Sequence, residues 1–386
     1  MRVAVVVRSL KIGGMERAAV NLAEAFAAQG HDAHLIFFKD KQRELYPDEA
    51  VRIHHFALEK TMRRRVTGLP WELFSRLMNA VVRHSYFYWS GFYLSRLFAA
   101  RLQEVERESG PFDLIIARGQ GTFETLWHYR DPRFVQVVES MFLFPGTALQ
   151  NFYLRRIYAH KNIVCVSRGV RDVFLQTAET ARFSPASVHR ITNPVDADRV
   201  AELSRRDEPD IEAPYLLSVG RITPNKNLSL LIDAYLLFRK RAVNPPLLVI
   251  IGDGHDRPAI EAKIARHAAE AYIKLLGKKE NPYPWMRRAE LFVLSSKFEG
   301  LGMVLIEAMA CGTKVVATRA PGGVFDIMTG TLEAYLSDLT PEALAAKMAF
   351  ALERPVPDYG ETLDAFRPET IVQRFIALSS DLASKT

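Results

Sequence analysis

The chain has 386 residues, 48% of them hydrophobic and 25% charged, which is too long for one ordinary core and too apolar for disorder. Its two cysteines, Cys165 and Cys311, lie far apart, exclude a disulfide framework or a cysteine metal cluster, and fit a reducing, cytoplasmic compartment. The net charge of +7 is one-sided: through Asp196 there are 27 Lys and Arg against 19 Asp and Glu, and beyond it 24 against 25.

The first predicted element is a strand, VAVVV at 3–7, whose apolar core is broken by Arg8 and is too short for a secretory signal. A Gly13-Gly14 turn leads into the amphipathic segment 15–30, with Gly30 as its stop signal. HLIFF (34–38), LIIA (114–117), VQVV (135–138) and NIVCVS (162–167) read as further strands buried on both faces, the mark of a parallel sheet. Between them lies a basic stretch, Lys60, Arg63, Arg64 and Arg65, then Arg76 and Arg83, followed by an aromatic run that includes Trp89. The run is shorter than the ~20 residues needed to cross a bilayer. Two readings stand: a core helix, or a basic and aromatic surface resting on anionic lipid. Nucleic acid is not an expected partner, because no recognition motif accompanies the charge.

Asn193 to Pro214 is polar and proline-marked and reads as a hinge. Its Asp196-Ala-Asp198 has a spacing that can hold a metal, but its place beside Asn193-Pro194 favours a structural role. From Tyr215 the strand and helix theme restarts with YLLSVG, PLLVIIGDG, AYIKLLG, LFVLSS and KVVAT, and the chain closes on an amphipathic helix from Pro368. The restart predicts two doubly wound α/β domains. No G-x-G-x-x-G follows the first strand, which argues against a dehydrogenase.

The chemistry concentrates in the second half. Arg221 and Lys226 follow a strand end, where such sheets bind ligands; Arg can clamp phosphate oxygens and Lys supplies a point charge. Gly252 and Gly254 permit close backbone approach, and Lys278 stands on the next loop. Glu299, Gly300, Leu301 and Gly302 lead into MVLIEAMA, a turn and helix start suited to a diphosphate. Glu307, about two helical turns beyond Glu299, can accept hydrogen bonds from vicinal hydroxyls such as those of a ribose.

In the order Gly13-Gly14 with Glu16-Arg17, then NPVD, SVGR with Lys226, GDG, NPYPWMRRAELFVLSS and EGLGMVLIEAMACGT, the chain resembles the retaining family-four glycosyltransferases of the GT-B fold, the bacterial cell-surface polysaccharide and lipopolysaccharide type. That resemblance implies an acceptor-side Rossmann-like domain at 1–192, a donor-binding domain at 193–365, and a helix at 366–386 returning to the first. It implies a nucleoside-diphosphate sugar, UDP- or GDP-linked, and no metal or other cofactor. Arg221 and Lys226 would bind the diphosphate, Glu307 the ribose and Glu299 the transferred sugar, with Gly13-Gly14 closing over the phosphates. Three departures stand out: Lys314 replaces a usual Pro, Asp326 a longer acid, and Glu139-Ser140 occupy the strand end where many relatives place a His. Glu139 is therefore the candidate catalytic group of the first domain. The implied reaction is metal-independent transfer to a hydroxyl of a lipid-linked or glycan acceptor at the inner face of a membrane. The alternatives are a nucleotide-sugar-binding protein with degenerate catalysis and a nucleotide-sugar epimerase.

Overall fold

The structure is a computed structural model and describes all residues except 12, 40–42, 84, 142–145 and 386. The chain divides into two compact units, Met1–Pro194 with Pro368–Thr386, and Val195–Arg367.

In the first unit β1 (Arg2–Ser9), β2 (Asp32–Lys39), β3 (Arg52–His55), β4 (Leu114–Arg118), β5 (Phe134–Val138), β6 (Asn162–Cys165) and β7 (Ser187–Arg190) form one sheet. Its order is β3-β2-β1-β4-β5-β6-β7, and all neighbours run parallel. The connecting helices are α1 (Gly14–Ala28), α2 (Leu58–Arg64), α3 (Gly68–Val81), α4 (Tyr86–Ser109), α5 (Gln120–Thr125), α6 (Ala148–Tyr158) and α7 (Arg168–Ala181). Val3 to Val7 are all buried, as a strand covered on both faces must be. Small residues, Ala18, Ala19, Ala23 and Ala25, lie on the buried side of α1 beside Leu22 and Phe26. The terminal helix Pro368–Ser384 packs on α1, with the Phe375 ring 6.2 Å from Phe26, and Ser379 Oγ donates to the Asp113 carbonyl at 3.1 Å. The apolar runs do not mark β3 or β7. Both are edge strands, and β3 leaves Arg52, Ile53 and His55 exposed, so they carry no continuous apolar signal.

The β2–β3 seam carries a polar cluster. His34 Nδ1 meets His54 Nε2 at 2.8 Å, and His34 Nε2 meets Asp32 Oδ1 at 3.1 Å. Arg2 Nε donates to Asp32 Oδ2 at 2.7 Å. Burial drives the His34 pKa down to about 4, with Asp32 pulling the other way. A histidine whose folded value is depressed leaves the unfolded chain binding more protons between the two values. The stability it allows is complete above about pH 6.5 and is lost as pH falls towards 4. The expected loss over that window is roughly 2–4 kcal/mol. Urea midpoints at pH 7, 5.5 and 4 should show it, and His34→Leu should flatten the difference. Equal pH slopes in both proteins would refute this account.

The basic and aromatic stretch is packed differently from a lipid-facing aromatic run. Trp89 is half-buried between helices: its ring lies 5.4 Å from Phe74, and its carbonyl accepts from Trp71 Nε1 at 2.9 Å. The Trp89 indole N–H is buried and without a partner. The α3–α4 contact thus holds part of Trp89, and the rest of the side chain stays accessible. Arg63 pairs with Glu72 at 3.2 Å and is exposed, as are Lys60, Arg64 and Arg65.

The second unit holds β8 (Tyr215–Val219), β9 (Leu247–Ile251), β10 (Ile273–Leu275), β11 (Leu291–Leu294), β12 (Val315–Thr318) and β13 (Leu336–Ser337), in the order β10-β9-β8-β11-β12-β13. All neighbours are again parallel. Asp196 caps the helix Ala197–Leu203 by accepting from the Arg199 N–H at 2.9 Å, so the D-x-D is a helix start. Lys314 Nζ donates to the Leu352 carbonyl at 3.1 Å, at the C-terminus of the helix Pro341–Leu352, which accounts for a cation there. Burial pushes both thiols, Cys165 and Cys311, up to about 12, so neither is poised as a thiolate.

Candidate active site

Each sheet reverses its strand order once, between β1 and β4 in the first unit and between β8 and β11 in the second. At such a point the loops leaving neighbouring strands diverge and open a crevice at the carboxyl edge. The candidate residues gather at these two places.

In the second unit the loop after β8 carries Gly220, exposed Arg221 and Lys226, and the loop after β11 carries Ser295 to Gly302. Ser295 Oγ donates to the Lys226 carbonyl at 2.8 Å, Asn225 Nδ2 to the Phe298 carbonyl at 2.9 Å, and Lys297 N to the Asn225 carbonyl at 2.8 Å. These bonds fix Lys226 beside Glu299, and its Nζ lies 2.5 Å from Glu299 Oε1. Ser296 Oγ donates to the same oxygen at 2.5 Å. The backbone of Glu299 is held as well: its N–H donates to the Pro321 carbonyl at 3.0 Å, and its carbonyl accepts from the Gly323 N–H at 3.1 Å. A Cβ at Gly323 would lie 2.4 Å from Leu301 Cα, so only glycine lets this loop brace the Gly300–Gly302 turn. Gly302 adopts φ 92° and starts the helix Met303–Ala310.

The helix begins at Met303, so Glu307 sits about one turn inside it rather than two, and it is buried. The residues from Glu299 to Gly302 form the turn, which shortens the distance inferred from the sequence. Gly252 and Gly254 have a backbone role beside any ligand role. A Cβ at Gly252 would fall 1.8 Å from the Gly220 carbonyl oxygen, and one at Gly254 would fall 2.1 Å from that of Ile222. The two glycines thus let the loops after β8 and β9 touch, where Ile222 N donates to the Asp253 carbonyl at 2.9 Å. Lys278 is exposed on the loop after β10, two strands away from β8 at the same sheet edge.

In the first unit a cavity of about 460 Å³ opens at the ends of β1 and β4, lined by Arg8, Lys11, Lys39 and Arg118, with Glu16 as the one carboxylate among the described lining residues. Gly13 is the extended cap of α1 and Gly14 its first residue, beside the lining residues Met15 and Glu16. Glu139 follows β5, and two guanidinium nitrogens of buried Arg118 converge on its Oε1 at 2.9 and 2.8 Å. Arg118 Nη2 also reaches Asn193 Oδ1 at 2.5 Å. Burial pushes the Glu139 pKa upward against the pull of Arg118. Sequence reasoning missed Arg118; its only signal was an arginine closing an otherwise apolar strand.

A second cavity, of about 390 Å³, lies on the other side of α5 and is largely apolar, with Phe87, Tyr88, Trp127, Tyr153, Leu154 and Ile157 in its wall. Arg8 links the two, since it lines the first cavity and stacks 5.1 Å from the Phe87 ring of the second. Glu124 also faces the apolar cavity, and burial raises its carboxyl pKa, with Arg8 pulling it back. Among the described residues no cluster of three or more His, Cys, Asp or Glu could hold a metal ion.

Two parallel doubly wound units with polar crevices at their reversal points define a GT-B architecture. The family model described as Glycosyltransferase Family 4 matches residues 12–199, and the one described as Glycosyl transferases group 1 matches 201–370. The chain belongs to the family-four glycosyltransferases of the GT-B fold. Among curated relatives, the N-acetylgalactosamine-N,N'-diacetylbacillosaminyl-diphospho-undecaprenol 4-alpha-N-acetylgalactosaminyltransferase of Campylobacter jejuni is 34% identical over 183 residues, 47% of this chain and 48% of the relative. The D-inositol 3-phosphate glycosyltransferase of Jonesia denitrificans is 26% identical over 377 residues, 88% of this chain and 83% of the relative. Against most of the other relatives the chain spans about half of their length or less. Among solved structures, HepE of Anabaena in complex with UDP superposes with a TM-score of 0.65 at 19% identity, covering 99% of this chain and 100% of that one. The sucrose-phosphate synthase of Thermosynechococcus elongatus gives 0.71 at 16% identity, covering 100% of both.

Proposed function

We propose that the protein moves a sugar from a UDP-linked donor to a hydroxyl of a lipid-linked glycan acceptor. The observation that carries this reading is the Lys226–Glu299–Ser296 cluster at the start of the helix Met303–Ala310. A cation, a helix terminus and an exposed arginine converge there, which suits a diphosphate leaving group. Arg221 and Lys226 take the diphosphate oxygens and offset the charge that grows as the glycosidic bond breaks. Glu307 accepts from the ribose hydroxyls, and Glu299, freed from Lys226 when the diphosphate arrives, accepts from hydroxyls of the sugar. UDP as the carrier is supported by HepE, solved with UDP and with UDP-glucose. A lipid diphosphate in the acceptor is supported by the name of the Campylobacter relative and by the paired cavities of the first unit. The cationic cavity suits the diphosphate and sugar of such an acceptor, and the apolar one suits the start of its chain. By resemblance the reaction retains configuration and uses no metal.

Calorimetry with UDP alone, paired with transfer kinetics, tests the roles. Glu307→Gln should weaken UDP binding about ten-fold, the loss of a charge-assisted hydrogen bond. Glu299→Gln should leave UDP binding unchanged or tighter, because it removes the carboxylate that competes for Lys226, and should slow transfer by about 10²-fold. Equal weakening of UDP binding by both variants would overturn the assignment of roles.

A further inference from the structure

A third cavity of the first unit, about 290 Å³, lies between α4 and the loop that enters β5. Arg96 and Gln103 of α4 form one side of it, and His128, Arg130 and Arg133 the other. Arg133 and Lys161 immediately precede β5 and β6, so this is the amino edge of the sheet. The length of β5, about 16 Å, separates it from the crevice at the carboxyl edge. Here cations outnumber the carboxylates free to meet them. Arg133 engages both acids among the described lining residues: Nη1 donates to Glu106 at 2.7 Å, and Nη2 and Nε donate to Asp131 at 2.6 and 2.9 Å. The Tyr129 hydroxyl takes a further place on Asp131, at 3.0 Å. Arg96 and Arg130 form no ion pair with a carboxylate among the described residues. Behind them Lys161 is 3% exposed, donates to the Tyr129 carbonyl and lies 5.1 Å from the Phe134 ring.

We infer that this cavity binds a small molecule carrying phosphate groups, held by Arg96, Arg130 and His128. The cluster costs the fold something and returns nothing to it without an anion. Burial, then Arg96, Arg130, Lys161 and Arg156, lower the His128 pKa. Burial and Arg130 likewise bring the Lys161 ammonium down to about 7, with Asp131 pulling back. A phosphate group among these side chains would turn that mutual repulsion into attraction. The geometry is prepared for it. The Arg96 guanidinium lies 4.1 Å from the centre of the Phe92 ring, and the His128 ring lies 4.6 Å from the same ring. One aromatic surface therefore fixes two donors before any ligand arrives. Arg96 and Arg130 are exposed, so they can be reached from solvent, and each presents a planar fork matched to phosphate oxygens. The volume is at the small end for ligand cavities, which favours a compact phosphate ester or diphosphate. The cations converge on one hollow; a long polyanion would need them spread along a surface. The site lies apart from the transfer reaction and does not rest on the donor assignment.

Inorganic pyrophosphate is the probe, and the His128 ring is the reporter, followed by NMR of histidine-labelled protein and assigned with His128→Gln. Titrations between about pH 5 and pH 8, with and without pyrophosphate, are run at ionic strength matched with sodium chloride. Bound pyrophosphate should move the His128 titration upward by about one pH unit or more, as an opposite charge at close range does. Arg96→Gln with Arg130→Gln should weaken pyrophosphate binding at least ten-fold. Both side chains are exposed and repel each other's neighbours, so without ligand this double variant should melt no lower than the wild type. The His128 response should be the same in Arg221→Ala, which keeps it separate from any failure of the donor assignment. A His128 titration that pyrophosphate leaves in place, or that chloride alone moves equally, would overturn the inference. Equal pyrophosphate affinity in the double variant would overturn it, as would a lower melting temperature, which would make the two arginines structural. Citrate acting as strongly as pyrophosphate would assign the cavity to carboxylates and overturn the phosphate reading.

Discussion

Replacing Arg118 with Met should destabilise the first unit by about 3–5 kcal/mol, the largest single-residue effect expected in this chain. Arg118 is 1% exposed, and its guanidinium supplies the positive charge at Glu139 Oε1 and the donor at Asn193 Oδ1. Methionine fills a similar volume and supplies neither. Burial already pushes the Glu139 pKa up, and without Arg118 the main pull in the other direction is gone, leaving the smaller one of the Asn193 hydrogen bond. The carboxyl then holds its proton in the folded state at pH values where the unfolded chain has released it. A group whose folded pKa lies above the unfolded value costs nothing below the unfolded pKa, and its cost grows as pH rises through the folded one. The deficit of Arg118→Met should therefore be larger at pH 8 than at pH 5, and Arg118→Met with Glu139→Leu should recover most of it. Urea unfolding at both pH values measures this. A deficit below about 1 kcal/mol with no pH dependence would show that the pair is not the electrostatic anchor described here.

The second large effect is on catalysis. On the proposed assignment, Lys226→Met and Arg221→Ala should each lower kcat/KM for the donor roughly ten- to a hundred-fold, since each would remove charge-assisted hydrogen bonds to the diphosphate worth about 1.5–3 kcal/mol. The two should differ in stability. Arg221 is exposed and its removal should leave the melting temperature unchanged. Lys226 neutralises buried Glu299, so its variant should melt lower, and Lys226→Met with Glu299→Gln should restore the temperature without restoring transfer. Donor kcat/KM within two-fold of wild type in both single variants would remove the diphosphate from this crevice.

The sequence made the central strands legible because strands covered on both faces must be apolar throughout, as Val3–Val7 and Leu291–Leu294 are. Edge strands escaped it: Arg52–His55 needs only one partner and keeps polar side chains. The turn before Met303 was legible through Gly300 and Gly302, but its brace was not, because Pro321 to Gly323 comes from another strand end some 20 residues on. Gly252 and Gly254 signalled close approach correctly without revealing the approaching partner, which is the backbone of Gly220 and Ile222. Arg118 was invisible for a similar reason. An arginine after LIIA reads as the end of a strand until the fold brings Glu139 and Asn193 against it. The aromatic run from Tyr86 posed the opposite problem, a conspicuous pattern whose Trp89 is half-buried against Phe74 while the plainer leucines of α3 face out.

On the proposed reading, the contact between Lys226 and Glu299 makes the resting crevice self-neutralised. The carboxylate is tethered a few atoms from the ammonium, so it acts at a high effective concentration that a dissolved monoanion such as chloride cannot match. Small anions are thereby turned away from a cationic crevice that would otherwise collect them. A ligand gains admission only by engaging several groups together, with phosphate oxygens on Arg221 and the helix terminus while it displaces Glu299 from Lys226. The displaced carboxylate is then left beside the incoming molecule needing hydroxyl donors. A bare diphosphate cannot provide them, and a sugar can.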